Sequence, residues 1–214
     1  MYRIHFGVGG TCFPFHLGVI DYIRNKRINV SKKQATYIYS GSSVGSLMAT
    51  IMALDIDTTA FLNECEKEQR RILRYQKTLF GEWSDSLCRV LDKFIPDIQI
   101  PVTNLYINAF NVKKLKNEVF SRFEHKSDII EAIVRSCHIP FLLDYKLFHN
   151  IYLDGVISNI LFGIDWNLKE TELFVIRIPS YYIVTQTVFP VSYNTQIMLY
   201  KKGRIYADNM FKYF

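Results

Sequence analysis

Two patterns of hydrophobic and polar residues follow one another along this chain, short β-branched or aromatic runs and longer helical repeats. The first run, Tyr2 to Phe6, predicts a strand that enters a glycine loop, and Pro14 marks the start of a helix. The second run, Ala35 to Tyr39, predicts a strand that turns at Gly41–Gly45 and enters an apolar helix over 46–54. The chain therefore predicts the same strand, loop and helix unit twice.

The remaining sequence continues this alternation. Helices are predicted over 57–75, over 84–94 and from a cap at Ser127 to Pro140, and strands over 105–110, up to Leu153 and over 173–178. Strands that alternate with helices in this way predict an α/β fold with a mostly parallel sheet covered on both faces. Functional sites in such sheets form at the carboxyl ends of the strands, where the glycine loop, the 41–45 turn and Asp154 are expected to meet.

Length and composition favour one domain over residues 1–214. A chain of 214 residues with 49% hydrophobic residues can build one full core, and 15% aromatic residues exclude a disordered chain. The uncharged stretch 35–54 has the length of a membrane span, but its glycine-rich middle favours a strand, a turn and a helix. Because the N-terminus lacks the pattern of a secretory signal, a cytoplasmic protein is expected.

The net charge and the cysteine spacing limit the kinds of partner and site that the sequence predicts. A net charge of +6 favours anionic surfaces, either phospholipid headgroups or nucleic acid. The basic clusters have no zinc-finger or RNP-like context, so nucleic acid is not expected as a partner. The four cysteines are irregularly spaced and no histidine pair has a ligand spacing, so neither a disulfide framework nor a metal site is predicted.

The turn Gly41-Ser42-Ser43-Val44-Gly45 matches G-x-S-x-G, in which a sharp strand-to-helix turn exposes a serine hydroxyl. Ser43 is therefore the candidate nucleophile. The following helix adds its positive dipole end, and the Val44 amide is a candidate donor to an oxyanion. Further donors are expected from the glycine loop, at Gly9, Gly10 and Thr11.

The identity of the base separates two hypotheses. No histidine follows Asp154, although His149 after Asp144 remains an alternative. Asp154 is the preferred base because a strand precedes it and Gly155 permits close approach of another backbone. Since a carboxylate is a weak base, this pair requires desolvation and strong oxyanion stabilisation.

Together these residues resemble the patatin-like phospholipase family. The resemblance covers Ile4 to about Asn159 and rests on four features in order: the glycine loop leading to His16-Leu17-Gly18-Val19, the Gly41–Gly45 elbow, Ser136-Cys137-His138-Ile139-Pro140, and Tyr152-Leu153-Asp154-Gly155 with Ser158-Asn159. It implies a three-layer α/β/α sandwich, a Ser43–Asp154 dyad and no cofactor. It also implies phospholipase A-type cleavage of phospholipid or neutral-lipid esters through an acyl-enzyme, by a protein peripheral at membranes.

The chain departs from the family pattern at two places. The family loop usually reads G-G-G-x-[RK]-G, whereas Val8, Cys12 and Phe13 take its first, basic and last positions. The third position of the family's D-G-[GA] motif is Val156. A lipid-binding or scaffold protein with the same fold and little turnover is therefore the alternative function, and a basic nucleic-acid binder ranks third.

Overall fold

A six-stranded sheet organises the part of the chain that the computed structural model describes. The described residues are 1–26, 37–76, 81, 83–99, 101–142, 144–164, 172–179 and 191–212. The strands are β1 (Tyr2–Phe6), β2 (Tyr37–Ser42), β3 (Leu105–Asn111), β4 (Lys116–Phe120), β5 (Tyr152–Leu153) and β6 (Glu172–Ile176). The described helices are α1 (Pro14–Asn25), α2 (Val44–Ala53), α3 (Thr58–Gln76), α4 (Trp83–Phe94), α5 (Lys126–Ser136), α6 (Gly155–Phe162) and α7 (Tyr193–Met210), with a 3₁₀ turn at Gly10–Cys12.

The strand order is β4-β3-β2-β1-β6, and the four strands β3, β2, β1 and β6 are parallel neighbours. β4 pairs antiparallel with β3 along one edge, and β5 also pairs antiparallel with β3, at Phe110 and Asn111. Because β4 occupies one side of these two residues, β5 lies on the β2 side. β2 ends at Ser42, opposite Asn108, so β5 continues the sheet where β2 stops.

The two faces of the sheet differ in polarity. Ile4, Phe6 and Ile107 belong to the apolar core beneath α1, α2 and α5. On the opposite face, Asn108 contacts Asn159 of α6, and Phe110 stacks on Phe162 of the same helix. Helices therefore lie on both faces of a mostly parallel sheet, and the predicted α/β sandwich is confirmed.

Several predicted boundaries differ from the structure, and the fifth helix differs most. It begins at Lys126 with His125 at its N-cap, so the predicted cap at Ser127 is wrong. The Asp128 carboxylate accepts the His125 amide at 2.8 Å, which fixes the earlier start. The helix also ends at Ser136, ahead of Pro140. The first residues of the predicted strand over 35–39, Ala35 and Thr36, lie outside the described residues.

No helix among the described residues is both long and apolar enough to cross a membrane. Phe61 and Ile72 of α3 are buried, so these apolar side chains face the interior of the protein.

Candidate active site

The elbow at Ser43 is a strained turn held in place by close backbone packing. Ser43 has φ 55° and ψ −135°, a left-handed conformation that costs free energy in a residue with a side chain. A β-carbon at Gly41 would collide with the Gly45 carbonyl, and one at Gly45 would collide with the Phe6 carbonyl. Only glycine therefore fits at these two positions, and their packing forces the Ser43 side chain out of the turn.

The Ser43 hydroxyl donates a hydrogen bond to Asp154 Oδ2 at 2.6 Å. Asp154 is brought there by β5, whose last residue Leu153 pairs with Phe110 of β3. Its other carboxylate oxygen accepts the Val156 amide at 2.7 Å, which makes Asp154 the N-cap of α6. The pair predicted from the sequence is thus in direct contact, between the N-termini of α2 and α6.

The electrostatic state of Asp154 follows from its burial. The residue is 2% exposed, and burial raises the pKa of its carboxyl group from 3.8 to about 6. The hydrogen bonds from Ser43 and Val156 oppose this shift, because both stabilise the ionised carboxylate. At neutral pH the group is therefore ionised, and it is a stronger base than an exposed aspartate.

The glycine loop supplies part of the predicted oxyanion site. Gly10 and Thr11 line the same pocket as Ser43 and Val44. Gly9 is not among the residues that line this pocket; its carbonyl accepts the Cys12 amide at 2.9 Å, and a β-carbon at Gly9 would collide with Ile178. Of the predicted donors, Gly10, Thr11 and Val44 thus line the pocket beside Ser43, and the Gly9 carbonyl closes the turn that leads to Cys12.

An apolar pocket of about 120 Å³ opens beside Ser43. It is lined by side chains of α3, α4 and the segment after α5, among them Phe61, Ile72, Val90, Ile139 and Leu142. Phe13, which takes the last position of the family loop, also lines it. A hydrocarbon chain suits this lining, and the hydroxyl of Ser43 lies on its wall.

The comparison with known families agrees with this arrangement. A model of patatin-like phospholipases matches residues 6–164, more than half of the chain. The chain belongs to the patatin-like phospholipase family. Family membership indicates a lipid acyl hydrolase in general terms. No protein of curated function matches this chain.

Within this patatin-like domain, Ser136 is a contact that the sequence did not assign. Its hydroxyl accepts the Ser43 amide at 2.9 Å, so the end of α5 holds the backbone of the elbow. Ser46 adds a second restraint, because its hydroxyl donates to the Ser43 carbonyl at 2.6 Å. The sequence signal was the serine in the Ser136–Pro140 segment, but only the fold shows what it binds.

A network of buried polar side chains lies next to Ser43 and Asp154. The Ser42 hydroxyl donates to Asn108 Oδ1 at 2.5 Å and accepts from Asn159 Nδ2 at 2.7 Å. Asn108 Nδ2 in turn donates to the Gly155 carbonyl at 3.3 Å. A β-carbon at Gly155 would meet the Asn108 carbonyl, so this glycine permits the close approach of α6 to β3. The network joins the strand that ends just before Ser43 to the helix that begins after Asp154.

The alternative base, His149, lies in a different cluster. Its Nε2 atom is 3.1 Å from Glu131 Oε1, and its Nδ1 atom is 3.9 Å from Asp144 Oδ2. It is absent from the pocket lining around Ser43, as far as the described residues show. The geometry of the patatin-like site thus places Asp154, and not His149, against the serine.

Proposed function

We propose that this chain is a serine-dependent lipid acyl hydrolase of phospholipase A type, with Ser43 as nucleophile and Asp154 as general base. The observation that carries the proposal is the 2.6 Å hydrogen bond from Ser43 Oγ to the buried carboxylate of Asp154, on the wall of an apolar pocket. This arrangement supplies an activated hydroxyl next to a binding site for hydrocarbon. The finer assignment goes beyond what family membership alone indicates.

In the first half-reaction, Ser43 Oγ bonds to the acyl carbon while its proton passes to Asp154 Oδ2. The carbonyl oxygen becomes an oxyanion, which the amides of Gly10, Thr11 and Val44 and the N-terminus of α2 stabilise. The ester bond then breaks, and the leaving alcohol takes the proton from Asp154. An acyl-enzyme at Ser43 remains.

In the second half-reaction, a water molecule gives its proton to Asp154 and bonds to the acyl carbon. The tetrahedral intermediate collapses, the proton returns to Ser43 Oγ, and the fatty acid leaves. Asp154 is weakly basic even with a raised pKa, so the oxyanion donors must stabilise much of the charge; one such donor is worth about 10² to 10³ in rate.

The substrate is proposed to be a phospholipid or neutral lipid met at a lipid surface. The pocket volume of about 120 Å³ is below the roughly 300–1,000 Å³ of many ligand sites, so it holds part of one acyl chain. Phe141, Tyr145 and Leu147 are exposed on the segment that also contributes Ile139 and Leu142 to the pocket. Together with the net charge of +6, these side chains favour peripheral contact with anionic lipid.

The test follows fatty acid released from mixed phospholipid vesicles and phenol released from a short-chain aryl ester. Ser43→Ala and Asp154→Asn are each expected to lower the rate by about four orders of magnitude, as for other catalytic groups that act as a unit. Ser127→Ala and Asp85→Asn make the same chemical changes on exposed side chains and serve as controls. Circular dichroism shows whether each variant is folded.

Full activity in folded Asp154→Asn contradicts the proposed base. A wild-type protein that binds vesicles but cleaves neither substrate contradicts the hydrolase and supports the lipid-binding alternative.

A further inference from the structure

A second cluster of chemically active side chains lies apart from the dyad, in the segment between α5 and β5. His138, Asp144 and His149 each offer one donor atom, and the three atoms lie within 4.8 Å of one another. His138 Nδ1 is 3.8 Å from Asp144 Oδ1, and His149 Nδ1 is 3.9 Å from Asp144 Oδ2. Two imidazoles and one carboxylate are a donor set that suits zinc.

His138 gives independent reason to expect a ligand. The residue is fully buried, and neither ring nitrogen has a hydrogen-bond partner among the described residues. The backbone of Lys146 and Leu147 faces the ring without meeting hydrogen-bond geometry. A buried imidazole without a hydrogen bond costs free energy, so a group that bonds to a ring nitrogen would recover that cost.

His149 is oriented in the way that metal-binding histidines are. Its Nε2 atom contacts Glu131 Oε1 at 3.1 Å, and Arg135 Nε holds the same Glu131 oxygen at 2.9 Å. A carboxylate on one ring nitrogen fixes the ring and leaves the other nitrogen for a metal. Here that other nitrogen, Nδ1, is the one that faces Asp144.

One cation already lies near this cluster. Lys146 Nζ is 3.6 Å from Asp144 Oδ2, but its side chain is 68% exposed. An exposed ion pair of this kind contributes little to stability. Lys146 is therefore a weak competitor for the carboxylate.

The distances fit a site that tightens on binding. Bonds of about 2.0–2.2 Å in a tetrahedral site separate the ligand atoms by roughly 3.4 Å. The observed separations of 3.8 Å and 3.9 Å, which run to different oxygens of Asp144, must shrink by about half an ångström, and the longest separation, of up to 4.8 Å, by up to about 1.4 Å. The side chains of Asp144 and His149 are 14% and 20% exposed, which gives a metal ion access from solvent.

We propose that His138, Asp144 and His149 bind one divalent cation of the zinc type, with Glu131 as the group that orients His149. Nitrogen donors favour zinc over magnesium and calcium, which prefer oxygen. The site is structural and does not depend on the proposed hydrolase activity.

A metal bound at this cluster would act on the wall of the pocket beside Ser43. The His138 carbonyl accepts the Asp154 amide at 2.8 Å, and Ile139 and Leu142 of the same segment line the pocket. A metal that joins His138 to Asp144 and His149 would fasten this segment at three points.

The test is equilibrium dialysis of the chelator-stripped full chain against Zn²⁺ in the presence of excess Mg²⁺, with bound metal counted by mass spectrometry. Wild type is expected to bind one Zn²⁺ per chain and to melt at a higher temperature with the metal than without it. His149→Ala and Asp144→Asn are each expected to weaken binding by more than about tenfold, and Glu131→Gln by about 10- to 100-fold. His125→Gln removes an exposed histidine outside the cluster and should bind as wild type does.

Glu131→Gln keeps the test decisive if a ligand variant fails to fold, because it leaves all three proposed ligands in place. The proposal is overturned if wild type binds no Zn²⁺, or if His149→Ala and Glu131→Gln bind it as tightly as wild type. It is also overturned if Cys137→Ser alone abolishes binding, since the metal would then be held by the neighbouring thiol.

Discussion

At the scale of single residues, the burial of Asp154 has opposite effects on the basicity of its carboxylate and on the stability of the fold. Burial raises the pKa of its carboxyl group, as the proposed general base requires, but the same burial makes the ionised form costly to the fold. The Ser43 hydroxyl and the Val156 amide offset part of that cost through hydrogen bonds to both oxygens. Activity and stability should therefore depend on pH in opposite directions.

The rate should increase with pH through the titration of Asp154. Its pKa is raised to about 6, and below that value the protonated carboxyl cannot accept the Ser43 proton. We expect kcat/KM for an aryl ester to increase as pH rises through about 6 and then to level off. The profile is measured with a chelator present, so that bound metal does not alter the field at Asp154. A midpoint near the ordinary value of 3.8 would show that burial does not set the basicity.

Asp154→Asn should stabilise the fold above pH 6 while it removes activity. Between about pH 4 and pH 6 the folded state holds a proton that the unfolded chain has lost, so stability falls as pH rises through this window. Removing the charge should raise the free energy of unfolding at pH 8 by on the order of 1–2 kcal/mol, with little gain at pH 4. Urea denaturation at both pH values measures this difference. Asp85→Asn, an exposed change, is the control, and a less stable Asp154→Asn at pH 8 would contradict the expectation.

At the scale of elements, glycines decide how closely helices and strands approach. Gly45 sets α2 against the end of β1, and Gly155 sets α6 against β3. A third contact of this kind joins α1 to α7, where a β-carbon at Gly18 would collide with the Tyr200 carbonyl and one at Gly203 with the Phe15 carbonyl. The two helices therefore cross with their backbones nearly in contact.

Gly18→Ala should destabilise the protein despite the better helix propensity of alanine. The propensity gain is about 1 kcal/mol, whereas overpacking of a tight contact costs about 1–3 kcal/mol and separates the two helices. We expect a net loss in thermal and urea unfolding. Asn209→Ala, on an exposed position of α7, gains propensity without a clash and should be neutral or stabilising. Equal stability of Gly18→Ala and wild type would show that the crossing can relax.

Sequence patterns alone were sufficient to predict some of the strands and helices, but not all of them. The first strand and the start of α1 were predicted correctly, because a short run with aromatic and β-branched residues and a proline at the first helical turn are local signals. The sequence did not predict β4, α6 or α7. β4 is partly exposed and carries Lys116, Asn117 and Glu118, so it gains its stability from pairing with β3 and not from its own residues.

At the scale of the whole molecule, the folded unit extends beyond the residues that the family model matches. The match ends at residue 164, whereas β6 pairs with the full length of β1, and α7 packs on α1. Without these two elements, β1 becomes an edge strand with unpaired backbone groups. The apolar side of α1 loses its cover as well.

A chain cut after residue 164 should therefore fail to fold cooperatively. Loss of α7 uncovers buried side chains such as Phe15, which packs on Tyr206 of that helix, and the open edge of β1 promotes aggregation. We expect insoluble protein or a broad, non-cooperative thermal transition in circular dichroism. A chain ending at residue 212 keeps all described residues of the C-terminal region and is the control. A soluble 1–164 fragment with a sharp transition would place the folding unit within the family match.

The sequence by itself determined which residues are candidates for the site, because their signals are local. Gly41 and Gly45 specify a turn that only glycine can form, and an aspartate after a short strand specifies a fixed carboxylate. The α/β class followed from the alternation of patterns for the same reason.

Only the tertiary structure decided which distant residues meet. It brought β5 to the side of β3 that β2 leaves open, and so placed Asp154 against Ser43. It also set Ser136 on the elbow backbone and gathered His138 and His149 around Asp144. These contacts join residues far apart in the chain, and sequence spacing cannot specify them because strand order and helix packing depend on the free energy of the whole core.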